Sequence, residues 1–317
     1  MDMNMLIVQL MGVPSVKWGG QEVHIQRKLP RALLYYLAGH NQPLQRQELY
    51  PVFWPAAEES DGLRRLREIL SKLRSDLPDP GIILADRTYI SLASDRVWVD
   101  LLEFNKILNE NRRPAMQIPR NQPLPAPIYQ NLVRVVELYH PQGMLVNFTW
   151  PDSIDYENWI QAASRQAEDG YQFSLQRLAE HSAAQGDLPG SVRWLQKATS
   201  LDPYNSELHQ QILINLIEIG QKAEVTNYCS HLRQLYADEG GLPTGLAKLV
   251  ERFQMAGLTT LQTRLQWPSA TSLNVPMVGR TEEMQHLRQA RQKGGHAIIY
   301  GEPGAGKTRL VYELFRQ

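Results

Sequence analysis

Between residues 58 and 80 the chain reads EESDGLRRLREILSKLRSDLPDP. Leu63, Leu66, Leu70, Leu73 and Leu77 recur at alternating steps of three and four, the spacing of one apolar stripe on an α-helix. Pro78 and Pro80 stop it, and Ser60 or Asp61 is placed to cap its start. A helix turns about 100° per residue, so the other side chains divide into sectors. Arg64, Glu68, Ser71 and Ser75 point away from the leucines, Arg65 and Lys72 lie at one margin, and Arg67 and Arg74 at the other. Five basic residues face one acid, Glu68, between positions 64 and 74. Such a helix is anchored by its apolar side and can carry cations into the major groove of a duplex, where arginine pairs with guanine or with phosphate. Taken alone, the same pattern also describes a solvated amphipathic helix with no partner.

The flanking segments give the helix a setting. LIVQL (6–10), SVKW (15–18) and EVHI (22–25) read as strands, the last two joined by Gly19-Gly20, which tolerate the positive φ of a tight hairpin turn. LPRALLYYLAGH places Leu33, Leu34, Leu37 and Ala38 on one helical stripe. RQELYPVFWP is limited by Pro51 and Pro55 to one or two turns. After the leucine helix, GIILADRTYISLAS reads as a hairpin around Asp86-Arg87-Thr88. A small sheet, three helices and a hairpin, in that order, is the order of a winged helix behind a strand platform. In that setting Arg87, Thr88 and Tyr89 of the hairpin are placed to touch backbone or minor groove, and Lys28 and Arg31 of the first helix are candidates for phosphate contact. Trp54 reads as core packing.

Residues 100–113 predict a helix, and the five prolines of PAMQIPRNQPLPAP (114–127) predict a loop. From about 128 to 256 the pattern is helical almost throughout. QGDLPGSVRWLQKA and IGQKAEVTNYCSHL align at a period of 34, with Gly186 over Gly220, Trp194 over Tyr228, Leu195 over Cys229 and Leu178 over Ile212. That is the period of tetratricopeptide (TPR) helix pairs, which bury their apolar faces only by stacking. Residues 257–276 read as a linker.

The C-terminal stretch HAIIYGEPGAGKTRLVYELF fits strand, G-x-x-x-x-G-K-[ST] loop and helix. Gly301, Gly304, Ala305 and Gly306 form a loop whose N–H groups can cradle phosphate, Lys307 supplies charge to the β- and γ-phosphates, and the Thr308 hydroxyl is the Mg²⁺ ligand. Hydrolysis also needs an acid on a later strand and a group that positions water, and neither can follow residue 317. The expectation is an incomplete P-loop α/β segment, completed by sequence beyond it or by a partner. ATP and Mg²⁺ belong to the intact domain only, and this chain is not expected to be an enzyme or to hold nucleotide tightly.

Composition narrows the classes further. Lys plus Arg equals Asp plus Glu at 33 each, so any electrostatic partner must be met by a local cluster. The single cysteine, Cys229, excludes an internal disulfide framework and suits a reducing compartment. The start MDMNMLIVQL is no secretory signal, and no apolar run is long enough to span a bilayer, so a cytoplasmic protein without membrane association is expected. The eight histidines have no metal-ligand spacing, and Glu58, Glu59 and Asp61 suit a helix start rather than catalysis.

RKLPRALLYYLAGHNQPLQRQELYPVFWP, LRRLREILSKLRSDL and ISLASDRVWVDLLEF together resemble the N-terminus of the Streptomyces antibiotic regulatory protein (SARP) family. LYHPQGML (138–145) and the helical run behind it resemble that family's bacterial transcriptional activator domain, and MVGRTEEM with GEPGAGKT resembles the first motifs of the STAND- or AAA-like ATPase domain of its larger members. The family often carries Asn where this chain has Gly62, which weakens the first helical turn. The resemblance implies a mainly α fold with a small β component. It comprises an OmpR-type winged helix-turn-helix at 1–97, an all-α TPR-like domain at 98–256, and the start of an ATPase domain at 277–317. It further implies a sequence-specific activator that binds direct repeats in promoter DNA, self-associates there and recruits RNA polymerase. Two other readings stay open at this level: a signalling NTPase, or a TPR scaffold, whose N-terminal region binds proteins instead of DNA.

Overall fold

The computed structural model describes residues 5–40, 42–150, 153–253, 280–292, 299–300 and 310. The chain divides into two units, 1–258 and 259–317. Of the second, the described part is chiefly one helix, Thr281–Gln292, whose Met284 is buried together with Leu310. The phosphate-loop residues Gly301 to Thr308 lie outside the described residues.

The first unit opens with two small sheets. Strands β1 (Leu6–Gln9), β2 (Ser15–Trp18), β3 (Gln21–Glu22) and β7 (Val97–Val99) form a sheet of order β3-β2-β1-β7. β1 runs antiparallel to β2 and parallel to β7. Leu6, Val8 and Leu10 alternate into the core, as a half-buried strand requires. The third predicted strand is shorter than expected, ending at Glu22. β7 completes this sheet and ends at Val99.

Three helices follow the platform: α1 (Lys28–His40), α2 (Arg46–Phe53) and α3 (Glu59–Asp76). Leu66, Leu70 and Leu73 are buried against the α1 side, and each such side chain contributes about 1.5–3 kcal/mol on leaving water. Helix α3 starts at Glu59, so neither Ser60 nor Asp61 is its cap; both lie inside the first turn. Gly62 finds its explanation here. A Cβ at that position would land on the ring of Tyr50, so the glycine lets α2 lie close on α3. The wing is the hairpin β5 (Ile83–Ala85) and β6 (Tyr89–Leu92), joined by β4 (Leu44–Gln45) into a sheet of order β4-β6-β5.

Helix α4 (Asp100–Gln117) grows directly from β7. The buried carboxylate of Asp100 accepts hydrogen bonds from the N–H groups of Leu10 (2.8 Å), Met11 (3.0 Å) and Leu101 (2.8 Å), tying the platform to the helix start. The proline-rich segment is less irregular than predicted. Pro114 lies in the last turn of α4, which ends within that turn, and Pro127 lies in the first turn of α5 (Ala126–Leu138), where an N–H would have no helical partner. Only residues 118–125 remain a loop, held by the Leu124 N–H on His181 Nδ1 at 2.9 Å.

The helical run also breaks where none was predicted. Residues 139–150 are non-helical and return to the platform: Gly12 N–H donates to the Gly143 carbonyl (2.7 Å), Leu145 N–H to the Leu10 carbonyl (2.8 Å) and Val146 N–H to the Gly12 carbonyl (2.8 Å). Leu145 is buried there in a left-handed conformation (φ 52°), a state costing roughly 1–3 kcal/mol that persists only where surrounding contacts impose it. Beyond it, Trp150 and, from α6 (Ile154–Ala184), Tyr156 and Trp159 pack against Tyr36, His40 and Phe53. Tyr156 is fully buried and its hydroxyl donates to the Ala32 carbonyl at 3.2 Å.

The second half of α6 begins the repeat, followed by α7 (Leu188–Thr199), α8 (Ser206–Ile219), α9 (Lys222–Leu235) and a helix, α10, over 244–253. The 34-residue register is physical. Gly186 (φ 81°) and Gly220 (φ 86°) both take the left-handed turn that ends a helix, and the aligned pairs Leu178/Ile212 and Leu195/Cys229 are all buried. His209 is buried in this stack, with Nε2 on the Pro203 carbonyl and Nδ1 on the Tyr228 hydroxyl, each at 2.7 Å.

Two outcomes follow from this packing. Gly62→Ala should gain about 0.5–1 kcal/mol of helix propensity but lose about 1–3 kcal/mol to the Tyr50 clash, so a urea melt should show net destabilisation. Burial holds the His209 imidazole below its ordinary value of 6.5, and His40 and His181 shift the same way. The native state then binds fewer protons than the unfolded state, so stability is full above that value and declines as pH falls through it. The urea midpoint should therefore drop between about pH 7.5 and pH 5, and drop less in His209→Gln.

Candidate nucleic-acid interface

Helix α3 exposes its polar side, and the described parts of the helical module pack elsewhere. α6 meets α1 and α2 through the aromatic seam, while α3 rests on α1 and α2. Arg64, Arg65, Arg67, Glu68, Ser71 and Lys72 are all exposed, and Arg74 is half-buried. The predicted apolar stripe holds with one exception: Leu63 is half-exposed at the edge facing the wing, and Ile69 takes a buried place instead.

The cations of α3 are not equivalent. Arg64 reaches Asp61 (2.6 Å) and Glu68 (2.5 Å), and Arg65 Nε reaches Asp61 at 2.7 Å. The hydrogen bond from Arg64 is the main reason the Asp61 carboxyl sits below its ordinary range. This sector of the helix is therefore close to neutral in the free protein. On the opposite margin, Arg67 and Arg74 have no carboxylate ion pair among the described residues, and neither has Lys72. Arg74 Nη2 donates instead to the Ile83 carbonyl of the wing at 3.1 Å.

A residue the sequence reading passed over completes this margin. Arg46, at the first position of α2, donates its backbone N–H to the Thr88 carbonyl (2.9 Å) and its Nε–H to the Asp86 carbonyl (2.9 Å). It pins the wing turn to the helices. Its guanidinium is pushed toward the neutral form first by burial and also by the charges of Arg74 and Arg67, with Asp86 opposing. Nothing local in LQRQEL signals this, because the contact is made across the sheet with a hairpin 40 residues away.

The wing turn is self-contained. Asp86 Oδ1 accepts from the N–H groups of Thr88 and Tyr89, both at 2.7 Å, and these two bonds lower its carboxyl. Arg87, Thr88 and Tyr89 are exposed at or beside the tip. Between this tip, α3 and the start of α2 lies an open cleft of about 830 Å³ that includes Arg46, Leu63, Arg67 and Arg87 in its walls. A second hollow of about 460 Å³ continues from it along α3, sharing Arg46 and Arg67 and adding Arg74.

Lys28 and Arg31, the remaining candidate phosphate contacts, are placed differently. Their cationic ends lie 6.0 and 5.7 Å from the Phe148 ring centroid, so both help to close the seam with the 139–150 segment. Trp54 is half-buried beside Phe53, as expected of a packing residue. Among the described residues no cluster of three His, Cys, Asp or Glu is placed to hold a metal ion, and no helix is long and apolar enough to cross a membrane.

No family model matches the sequence, and no curated protein matches it. Among solved structures the chain is similar to Mycobacterium tuberculosis EmbR, determined in complex with a low-affinity phosphopeptide. The two share 17% identity and a TM-score of 0.55, over 92% of this chain and 73% of EmbR. At that identity the likeness is one of fold, and it extends along nearly the whole chain: a mainly helical protein with a small N-terminal β region, a winged helix followed by stacked helical repeats.

Proposed function

We propose that the chain is a DNA-binding transcriptional regulator of the SARP type. The observation that carries this is the exposure of α3, whose Lys72, Arg67 and Arg74 make no carboxylate ion pair among the described residues, beside a wing that is itself fixed by Arg46 and Asp86. Helix α3 enters the major groove, and Arg87, Thr88 and Tyr89 meet the adjacent minor groove or its backbone. Arg64, Arg65, Glu68, Ser71 and Lys72 occupy the face turned toward base edges. The winged-helix and repeat architecture shared with EmbR supports the reading, as does the resemblance of the sequence to SARP activators.

The finer parts of the assignment rest on that resemblance. They are activation by recruiting RNA polymerase, self-association on direct repeats, and a nucleotide switch at Gly301 to Thr308 that biases how the repeat domain engages the winged helix. Catalysis plays no part in the reading of the first unit.

Duplex affinity measured against salt tests the proposal. Neutralising about five phosphates gives a slope of log K against log[salt] near −4.5, and a protein-binding scaffold gives none. Lys307→Ala should leave duplex binding unchanged, because the phosphate loop lies in the other unit. Failure to retain any duplex at low ionic strength would return the choice to the scaffold reading. Asp61→Asn should tighten binding roughly two- to fivefold at low salt, the equivalent of one exposed ion pair, by releasing Arg64 and Arg65. Unchanged affinity in that variant would mean that neither arginine approaches the duplex.

A further inference from the structure

The two hollows beside α3 form one track, walled on one side by Arg67 and Arg74 and on the other by the wing, with Arg46 between them. Duplex geometry says what such a track is for. A major groove and its neighbouring minor groove are separated by a single phosphodiester backbone. If α3 occupies the first and the wing tip the second, that backbone has to pass between them. We infer that the cleft between α3 and the wing is a clamp for one DNA strand's backbone, in which Arg46 and Arg67 contact phosphate and Arg74 closes the far end. The inference rests on the DNA-binding reading and adds Arg46, a residue outside α3 and the wing tip, to the interface.

Three features fit a polyanion in this place. The two hollows share only Arg46 and Arg67, so both guanidiniums are available to the whole track. One carboxylate, Asp86, stands in the wall against three arginines, and its Oδ1 is turned to the N–H groups of Thr88 and Tyr89. Arg46 is half-withdrawn from water and feels like charge from Arg74 and Arg67, offset in part by Asp86, and a phosphate among the three arginines adds to that offset. Arg64 and Arg65 are satisfied by acids on their own helix, so of the α3 cations without a carboxylate partner among the described residues, Arg67 and Arg74 lie on the wing side and Lys72 at the other margin. Phosphate contacts of this kind fix register without reading sequence.

The test uses the full chain and a short random-sequence duplex, since a backbone contact is indifferent to sequence. Arg67→Gln decides it, because Arg67 donates no hydrogen bond within the described residues and its loss should leave the fold intact. The salt slope of Arg67→Gln should be shallower than wild type by about 0.9, so that a fourfold rise in salt costs about 3.5-fold less affinity. Arg46→Gln should do the same, and Arg46→Lys should keep the wild-type slope despite losing the Asp86 bond geometry. If Arg67→Gln retains the wild-type slope, the clamp is wrong while duplex binding stands. If the wild-type chain itself binds no duplex at low ionic strength, the DNA-binding reading falls and the clamp with it.

Discussion

Helix α2 packs on two partners at once, and the rest of the first unit is arranged around that fact. Its Tyr50 lies over Gly62 of α3, and its Phe53, one turn further on, enters the seam between Tyr36, Trp150 and Tyr156. Phe53 is 2% exposed, so it lies at the buried centre of the seam, with Tyr36 and Trp150 half-buried around it. Aromatic pairs at these ring separations contribute about 0.5–1.5 kcal/mol beyond their buried area. A helix of eight residues is too short to be stable by itself. It exists because α3 and the seam hold it from opposite sides. The orientation of α3 relative to the helical module is thus set by packing, with no flexible tether between them.

The same economy governs charge. A chain whose acids and bases cancel cannot attract a polyanion through its net field. It can do so only if neutralisation is uneven, and α3 shows how that comes about. Asp61 and Glu68 sit at the helical spacings that quench Arg64, and Asp61 also reaches Arg65. No acid stands at the corresponding spacing from Arg67 and Arg74 on the wing side. Exposed ion pairs of this kind are worth only a few tenths of a kcal/mol. They steer where an anion settles and scarcely affect the stability of the fold.

Local periodicity carried much of this fold. The leucine stripe of α3, the hairpin about Asp86 and the 34-residue register were all legible, because each depends on residues within a few turns or at a fixed repeat. What escaped were features made by distant partners. The break at 139–150 carries only Pro141 and Gly143 as local signals, and what fixes it on the platform is its hydrogen bonding with Leu10 and Gly12, which no local pattern shows. Gly62 looked like a weakness until Tyr50 filled the space above it. Pro114 looked like the start of a loop, yet α4 continues through it and ends within the same turn. At the candidate interface, α3 and the wing tip were identifiable from sequence. Arg46 was not, since its role follows from a carbonyl on the far side of the wing turn.

The 31 residues of α6 join the two modules mechanically. A helix of that length spans about 46 Å as one rigid element. Its N-terminal end places Tyr156 and Trp159 in the seam, and its C-terminal end places Leu178 and His181 against the proline-bearing loop and the first repeat. A stacked repeat buries its faces only through neighbours, so a shift of α7 or α8 is felt by α6. Such a shift cannot be absorbed by bending at the seam, where the Tyr156 hydroxyl is bound to the Ala32 carbonyl and the rings are close-packed. Either the seam opens, at the cost of exposing Phe53 and Tyr156 together, or α2 moves with α6 and takes the contact between Tyr50 and Gly62 with it. In both cases the disturbance reaches α3 through α2, the element that also carries Arg46 at its first residue.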